Sequence, residues 1–142
     1  MPTNEKKLNQ RIEMFARFSL FVIYAWFGIL KVLGISPAGS FVEELFKSSF
    51  LPNMIGFDTF YVLFSWFEVL LGIAFLFPKI TKYVFPIFLM HMAMTMLPLI
   101  LLPQLIWQNG LGLTMEGQYI IKNFGIIALV LYLYVDNKDW IL

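Results

Sequence analysis

Four long apolar segments constrain the fold of this chain more than any other feature of its sequence. They run approximately over residues 15–33, 59–77, 81–102 and 119–135. A helix needs about 20 apolar residues to cross the hydrocarbon core of a bilayer, where it satisfies its own backbone hydrogen bonds. The sequence therefore predicts an all-α polytopic membrane protein, an antiparallel bundle of four transmembrane helices in a single domain over residues 1–142.

The composition supports this prediction and excludes several kinds of function. Hydrophobic residues make up 60% of the chain and charged residues 13%, against roughly 45–50% and about 25% in soluble proteins. A net charge of +1 gives no basic excess, so we expect a lipid bilayer rather than nucleic acid as the partner. Without cysteine, and with one histidine, the chain has no thiol chemistry of its own and is predicted to hold neither a metal nor a haem.

The connections between the segments predict how they are oriented. Only residues 78–80 separate the second and third segments, which must form a tight hairpin. Lys47 is the one clearly extramembrane basic residue on the outer side, whereas the side of the hairpin turn and both termini carries Lys6, Lys7, Arg11, Arg17, Lys79, Lys82 and Lys138. We therefore expect both termini to be cytoplasmic. In the first outer loop, apolar residues at helical spacing predict a short interfacial helix over approximately 40–50.

Four ionisable residues fall inside the apolar segments, namely Lys31, Glu68, His91 and Lys122. Each costs at least about 2.5–3.5 kcal/mol when charged near the bilayer centre, so it requires an explanation. At about 1.5 Å per residue, Glu68 and His91 both lie roughly 15 Å from the hairpin turn, near the midplane. The same count places Lys31 and Lys122 roughly 20 Å from the cytoplasmic side, toward the outer face.

Glu68 and His91 are the candidate catalytic residues. A carboxyl group at this depth must be protonated, or must meet a cation or hydrogen-bond donors; the alternative to a functional role is a structural hydrogen bond to the first helix. A neutral imidazole can take a proton from Glu68 or from a hydroquinone, or bind a metal. The alternating methionines at positions 90–96 suggest copper, but a spacing of two points them around a helix, so flexible core packing explains them better.

Polar residues near the outer ends of the helices are candidate ligand-binding residues. Lys31 either pairs with Glu68 or extends to the outer interface. Lys122 and Asn123 are adjacent and point in different directions, so at least one should face the bundle. Gln118 lies four residues before Lys122 and shares its face.

Aromatic residues and glycines complete the predicted site. Trp26 and Trp66 either face lipid or help to hold a flat ring such as a quinone beside the polar groups. Gly28 and Gly72 are predicted helix-packing positions, because a residue without a side chain lets a neighbouring helix or a ligand come close.

Three short motifs resemble the DoxX-like membrane proteins. They are the WFGILKVLG run at 26–34, the FEVLLG run at 67–72 with its basic turn at 78–79, and the EGQYIIKN run at 116–123. The resemblance extends from about Arg11 to Tyr134 and implies a four-helix bundle in a bacterial inner membrane. It marks Gly28, Lys31, Glu68 and Gly72 as motif positions. Because the founding member is a subunit of a thiosulfate:quinone oxidoreductase, it also implies a quinone cofactor.

Three functions remain open at this point. In the first, the chain is a quinone-associated redox component in which Glu68 and His91 handle protons while a partner supplies electrons. In the second, it is a non-catalytic accessory or assembly subunit of a larger membrane complex, or a homo-oligomer. In the third, the buried ionisable residues form a proton- or ion-coupled pathway for a small solute. Whether the chain is an enzyme is not decided by its sequence.

Overall fold

The protein is built almost entirely from helices. The structure, a computed structural model, describes residues 3–138. Within them, the stretches Asn4–Val32, Phe57–Phe75, Pro78–Leu101 and Met115–Asp136 are long and apolar enough to cross a membrane. The predicted all-α fold class is confirmed.

The helices in chain order are α1 (Asn4–Val32), α2 (Gly39–Lys47), α3 (Phe57–Phe75), α4 (Thr81–Met96), α5 (Pro98–Leu101), α6 (Pro103–Ile106), α7 (Met115–Ile121) and α8 (Asn123–Lys138).

Helix α1 begins well before the apolar segment that predicted it, at Asn4 rather than Phe15. The Thr3 hydroxyl accepts a hydrogen bond from the Lys6 backbone N–H at 3.4 Å, and Glu5 in the first turn complements the helix dipole. The apolar pattern marks only the part of the helix that suits lipid. The polar turns before it remain helical because they are capped and contain good helix formers.

The other end of α1 is closed by a glycine in the left-handed region. Gly34 has a φ of +71°. Its N–H donates to the Lys31 carbonyl at 3.0 Å, and the next N–H, of Ile35, donates to the Leu30 carbonyl at 3.0 Å. This is the Schellman arrangement, which satisfies the last carbonyls of a helix.

The long helices pack in an antiparallel order. Helix α1 packs mainly against α3, and a 3-10 turn at Pro78–Ile80 joins α3 to α4. Helix α8 returns along α4, with Phe85 and Tyr134 stacked at a centroid distance of 4.3 Å. We call the end of the bundle with Thr3 and the Pro78–Ile80 turn the N-terminal face. The opposite end, with α2 and the connection from α5 to α7, is the loop face.

The third and fourth apolar segments are interrupted on the loop face. Pro98 and Pro103 each begin a new short helix, because proline cannot donate a backbone hydrogen bond to the preceding turn. A hairpin that the sequence did not predict follows, with strands β1 (Trp107–Gln108) and β2 (Gly112–Leu113). Gln108 pairs with Gly112, so three residues form the loop. Two of them, Asn109 and Gly110, have φ values of +48° and +80°, the left-handed region that Asn and Gly tolerate best.

Candidate functional site

The site begins where α1 and α3 come into backbone contact. A Cβ atom added to Gly28 would lie 2.7 Å from Val69 Cγ2 and 2.9 Å from the Ser65 carbonyl oxygen. One added to Gly72 would lie 2.7 Å from the Ala25 backbone nitrogen. The two glycines therefore stand where the helices approach too closely for any side chain.

This crossing brings Lys31 and Glu68 together inside the bundle. Lys31 lies about one turn beyond Gly28, and Glu68 about one turn before Gly72. The Lys31 ammonium contacts Glu68 Oε2 at 2.5 Å, with the side chains only 6% and 9% exposed. Of the two sequence alternatives for Lys31, the structure shows the pair with Glu68 rather than extension to the interface. Each charge compensates the other in surroundings that cannot solvate either one.

His91 faces the second oxygen of the same carboxylate. Its Nε2 lies 3.4 Å from Glu68 Oε1, and its side chain is 3% exposed. That distance is within the range of an ion pair, but neither ring nitrogen makes a hydrogen bond to the described residues. Buried nitrogens without a hydrogen-bond partner are costly and rare in native proteins. They leave the imidazole able to bond a ligand or to exchange a proton with Glu68.

Aromatic rings surround His91 on three sides. Phe64 stacks on the imidazole at a centroid distance of 5.7 Å, Phe67 lies at 5.6 Å, and Tyr24 meets it edge-on at 5.5 Å. Sequence reasoning did not single out Tyr24. Tyr24 stands four residues before Gly28 and seven before Lys31, so helical spacing places it on their face of α1 and is the sequence signal that would have found it.

A groove between α3 and α4 reaches this imidazole from outside the bundle. It has a volume of about 240 Å³ and is lined by Phe60, Leu63, Phe64, Phe67, Met90, His91 and Met94. Leu63 and Met90 lie at its rim and are mostly exposed. The groove therefore opens on the outer surface of two helices that are long and apolar enough to cross a membrane.

Of the polar residues predicted near the outer ends, Lys31 joins Glu68 and His91, whereas Lys122, Gln118 and Asn123 do not. Lys122 is exposed, with its ammonium 4.8 Å from the centroid of the Tyr119 ring, and Gln118 on the same face is also exposed. Asn123, one residue further around the helix, turns inward and donates from Nδ2 to Thr95 Oγ1 at 3.2 Å. Only Asn123 of this set faces α4.

The two tryptophans predicted to contact a ligand also lie outside the cluster. Trp26 is 64% and Trp66 50% exposed. The inward stripes of their helices are occupied by Ala25 and Gly28 on α1 and by Ser65 and Glu68 on α3. The tryptophans are neighbours of these positions in sequence, so they point toward the surroundings of the bundle.

The sequence used Arg17 only as one of the basic residues that orient the chain, but in the structure it also connects three helices. It is 3% exposed. Nε donates to Glu13 Oε1 at 2.8 Å, while Nη1 donates to the Phe75 carbonyl at 3.1 Å and to Thr81 Oγ1 at 2.9 Å. One guanidinium thus ties α1, α3 and α4 together at the N-terminal face. The i, i+4 spacing of Glu13 and Arg17 is the sequence signal for the first of these contacts.

The loop face carries polar groups that are separate from the cluster. A cavity of about 360 Å³ lies between α2 and the α6 to α7 connection, and Glu44, Gln104 and Glu116 are among its lining residues. On α2 the carboxylate of Glu43 accepts a hydrogen bond from Lys47 and raises the pKa of that ammonium. Within residues 3–138, no three His, Asp or Glu side chains are placed to share a metal ion.

Comparisons with protein-family models, with curated proteins and with solved structures found no match to this chain. The resemblance to the DoxX-like proteins therefore stays a prediction that depends on the three short motifs.

Proposed function

We propose that this chain is a DoxX-like, quinone-associated redox component of a bacterial inner membrane, with both termini in the cytoplasm. One observation carries the proposal. Within the described part of the chain, the nitrogens of the buried His91 imidazole have no hydrogen-bond partner, and the imidazole lines a groove that opens toward lipid. A ligand that reaches this histidine through the groove must be soluble in the bilayer and must offer a hydrogen-bonding group at its inner end.

A quinone headgroup fits these residues. Sites for drug-sized ligands have volumes of about 300–1,000 Å³, so a groove of about 240 Å³ suits a single flat ring whose tail remains in lipid. Phe64 and Phe67 offer aromatic faces for the ring, and a His91 nitrogen offers a hydrogen bond to a carbonyl oxygen. When bound, a quinone would supply electron transfer coupled to proton transfer.

The residues of the chain bind, orient and move protons. Lys31 balances the charge of Glu68 where water is excluded, and Glu68 Oε1 faces His91 Nε2. The separation of 3.4 Å is longer than a working hydrogen bond of about 2.6–3.2 Å, but such contacts often tighten only when a ligand binds. The sequence contains no electron carrier that we recognise, so the electrons require a partner.

Filling the groove tests the proposal. Leu63 at the groove rim and Leu70 outside it lie on the same helix and are 61% and 62% exposed, so Leu70→Trp is a matched control for Leu63→Trp. In lipid nanodiscs titrated with a short-tailed ubiquinone, we expect binding and an increase in melting temperature for the unmodified protein and for Leu70→Trp. Leu63→Trp should weaken binding about tenfold or more, the equivalent of about 1.4 kcal/mol.

Two results would overturn the proposal: no binding of ubiquinone or menaquinone analogues to the unmodified protein, or equal binding to both tryptophan variants. If the first result came together with a stable larger complex in gentle detergent, the accessory-subunit hypothesis would replace it.

A further inference from the structure

The polar residues around the Lys31–Glu68–His91 cluster are distributed unequally between the two faces of the bundle. On the way to the N-terminal face, α3 is entirely apolar from Val69 to Phe75. The space between the helices there is filled by side chains that are at most 1% exposed: Leu20, Phe75, Phe88, Val130 and Leu133. Beyond this layer the Arg17 guanidinium bonds to α3 and α4. Of the buried polar and charged side chains within residues 3–138, none lies in this apolar layer, so the layer offers no group that could pass a proton on.

Tyr24 does not open a route through that layer. Its hydroxyl lies 4.0 Å from Met92 Sδ, and the same sulfur lies 3.9 Å from Thr95 Oγ1. Thr95 lies closer to the loop-face end of α4 than His91 does. The hydroxyl of Tyr24 therefore turns away from Arg17.

Toward the loop face, polar side chains continue from the cluster. Tyr61, Ser65 and Glu68 follow one another at the i, i+4, i+7 spacing of one face of α3. Ser65 Oγ donates to the Tyr61 carbonyl at 2.5 Å. The Tyr61 hydroxyl lies beside Ser36 and would be 3.2 Å from a Cβ atom on Gly39, at the start of α2.

Lys31 completes this side of the cluster. It lies in the last turn of α1, one residue before the helix ends at Val32. Tyr61 and Ser36 are both only partly buried. An ammonium close to the helix end and two hydroxyl groups within reach of solvent can each give up and take back a proton.

We infer that the Glu68–His91 pair exchanges protons with the loop face, through Lys31 and the Tyr61–Ser36 pair, and is closed to the N-terminal face. The inference rests on the proposed function, because it names the side of the membrane from which the quinone site takes its protons. The titratable groups that face His91 are Tyr24 and Lys31 from α1 and Glu68 from α3. Those of α8 belong to its last two turns near the N-terminal face: Tyr132, Tyr134, Asp136 and Lys138.

The single histidine of the chain makes a direct test possible. Protein labelled with ¹³C-histidine is reconstituted in sealed liposomes in one orientation, and the imidazole bands are followed by infrared spectroscopy after rapid acidification on one side. The chain contains no cysteine, so a cysteine introduced at Ser48 reports the orientation through labelling. We expect the His91 bands to respond to acid on the loop face and not to acid on the N-terminal face.

Tyr61→Phe tests the route, and Tyr119→Phe on the same face is the matched control because that ring is exposed. Loss of the Tyr61 hydroxyl should slow the response about tenfold or more, whereas the control should respond at the unmodified rate.

The inference is overturned by a response to acid on the N-terminal face, by equal responses to both sides, by no response at all, or by equal rates in the two variants. Since no quinone is present, a sided response without quinone binding contradicts only the proposed function. Quinone binding without a sided response contradicts only this inference.

Discussion

The Lys31–Glu68 pair has the shortest separation, 2.5 Å, of the ion pairs found among residues 3–138. Burying two charges costs free energy that their attraction only partly returns, but leaving one of them without its partner costs considerably more. The pair also determines which Glu68 oxygen remains for His91, since Oε2 is held by the ammonium. Lys31 therefore orients the Glu68 carboxylate toward His91, in addition to its place on the inferred proton route to the loop face.

Breaking and then replacing this pair separates its structural role from its chemical one. Lys31→Met should lower the free energy of unfolding by about 3–5 kcal/mol because it leaves the Glu68 carboxylate buried without a cation. The double variant Lys31→Met/Glu68→Leu should recover most of that loss while losing the His91 response and weakening quinone binding. Unfolding in detergent and the ubiquinone titration provide the two measurements. A double variant that binds quinone as well as the unmodified protein would assign the pair a purely structural role.

The number of residues between the hairpin turn and each ionisable residue predicts which of them lie at the same level of the bundle. Glu68 and His91 were expected at one level because both lie about ten residues from the same turn, and the structure places them 3.4 Å apart. The rotation of each helix was not predictable in the same way. Lys122 and Asn123 differ by one residue, and only packing against Thr95 decides that Asn123 turns inward. The level of a residue along the bundle follows from its position in the sequence. The direction of its side chain depends on which neighbouring helix packs against it.

Backbone contact between α1 and α3 makes their crossing sensitive to a single methyl group. Gly28→Ala would place its Cβ 2.8 Å from the Val69 backbone nitrogen, which cannot move aside as a flexible side chain can. We expect a loss of about 1–3 kcal/mol in the free energy of unfolding, the usual cost of overpacking. Gly125 of α8 has no atom within 4 Å of its Cβ position. Gly125→Ala is the control and should be neutral or stabilising by about 0.5–1 kcal/mol. Equal effects of the two alanines in an unfolding titration would contradict the close crossing.

The Arg17 guanidinium holds the turn between α3 and α4 against α1. Arg17→Met leaves the Phe75 carbonyl and the Thr81 hydroxyl without this donor, so we expect a loss of about 2 kcal/mol or more in the free energy of unfolding. Arg17→Lys should recover only part of it, because an ammonium cannot reproduce the fork of donors that reaches three acceptors. Arg11→Met is the control, since Arg11 is exposed on the same helix. Thermal unfolding in one detergent ranks the variants, and equal melting temperatures for Arg17→Met and Arg11→Met would rule out the proposed clamp.

The elements differed from expectation mainly at their ends. Hydropathy located the four helical stretches that are apolar enough to cross a membrane, but the first turns of α1 are polar and are capped by Thr3. Prolines at positions 98 and 103 divide the end of the third segment into short helices. Asn109-Gly110 is a dipeptide typical of hairpin turns, and a pattern of apolar segments does not reveal it. Local chemistry, rather than the apolar pattern, decides where helices begin and end.

At the scale of the whole molecule, the two faces differ in both structure and charge. The N-terminal face is closed by packed apolar side chains and by Arg17, and its exposed lysines include Lys79 and Lys82. The loop face carries the short helix α2, where Lys47 pairs with Glu43 and Glu44. The apolar layer blocks protons at the basic N-terminal face, and polar groups line the loop face. Both features agree with proton entry from the loop face.

The excess of basic residues on the N-terminal face predicts that this face lies in the cytoplasm, because Lys and Arg near helix ends are retained on that side during insertion. Since the chain has no cysteine, single cysteines at two exposed positions can report the orientation without background. In intact spheroplasts treated with a membrane-impermeant maleimide, we expect Ser48→Cys on the loop face to be labelled and Lys79→Cys to be protected. After the cells are lysed, both should be labelled, which controls for reactivity. Labelling of Lys79→Cys in intact cells would reverse the orientation, and protons reaching His91 from the loop face would then come from the cytoplasm.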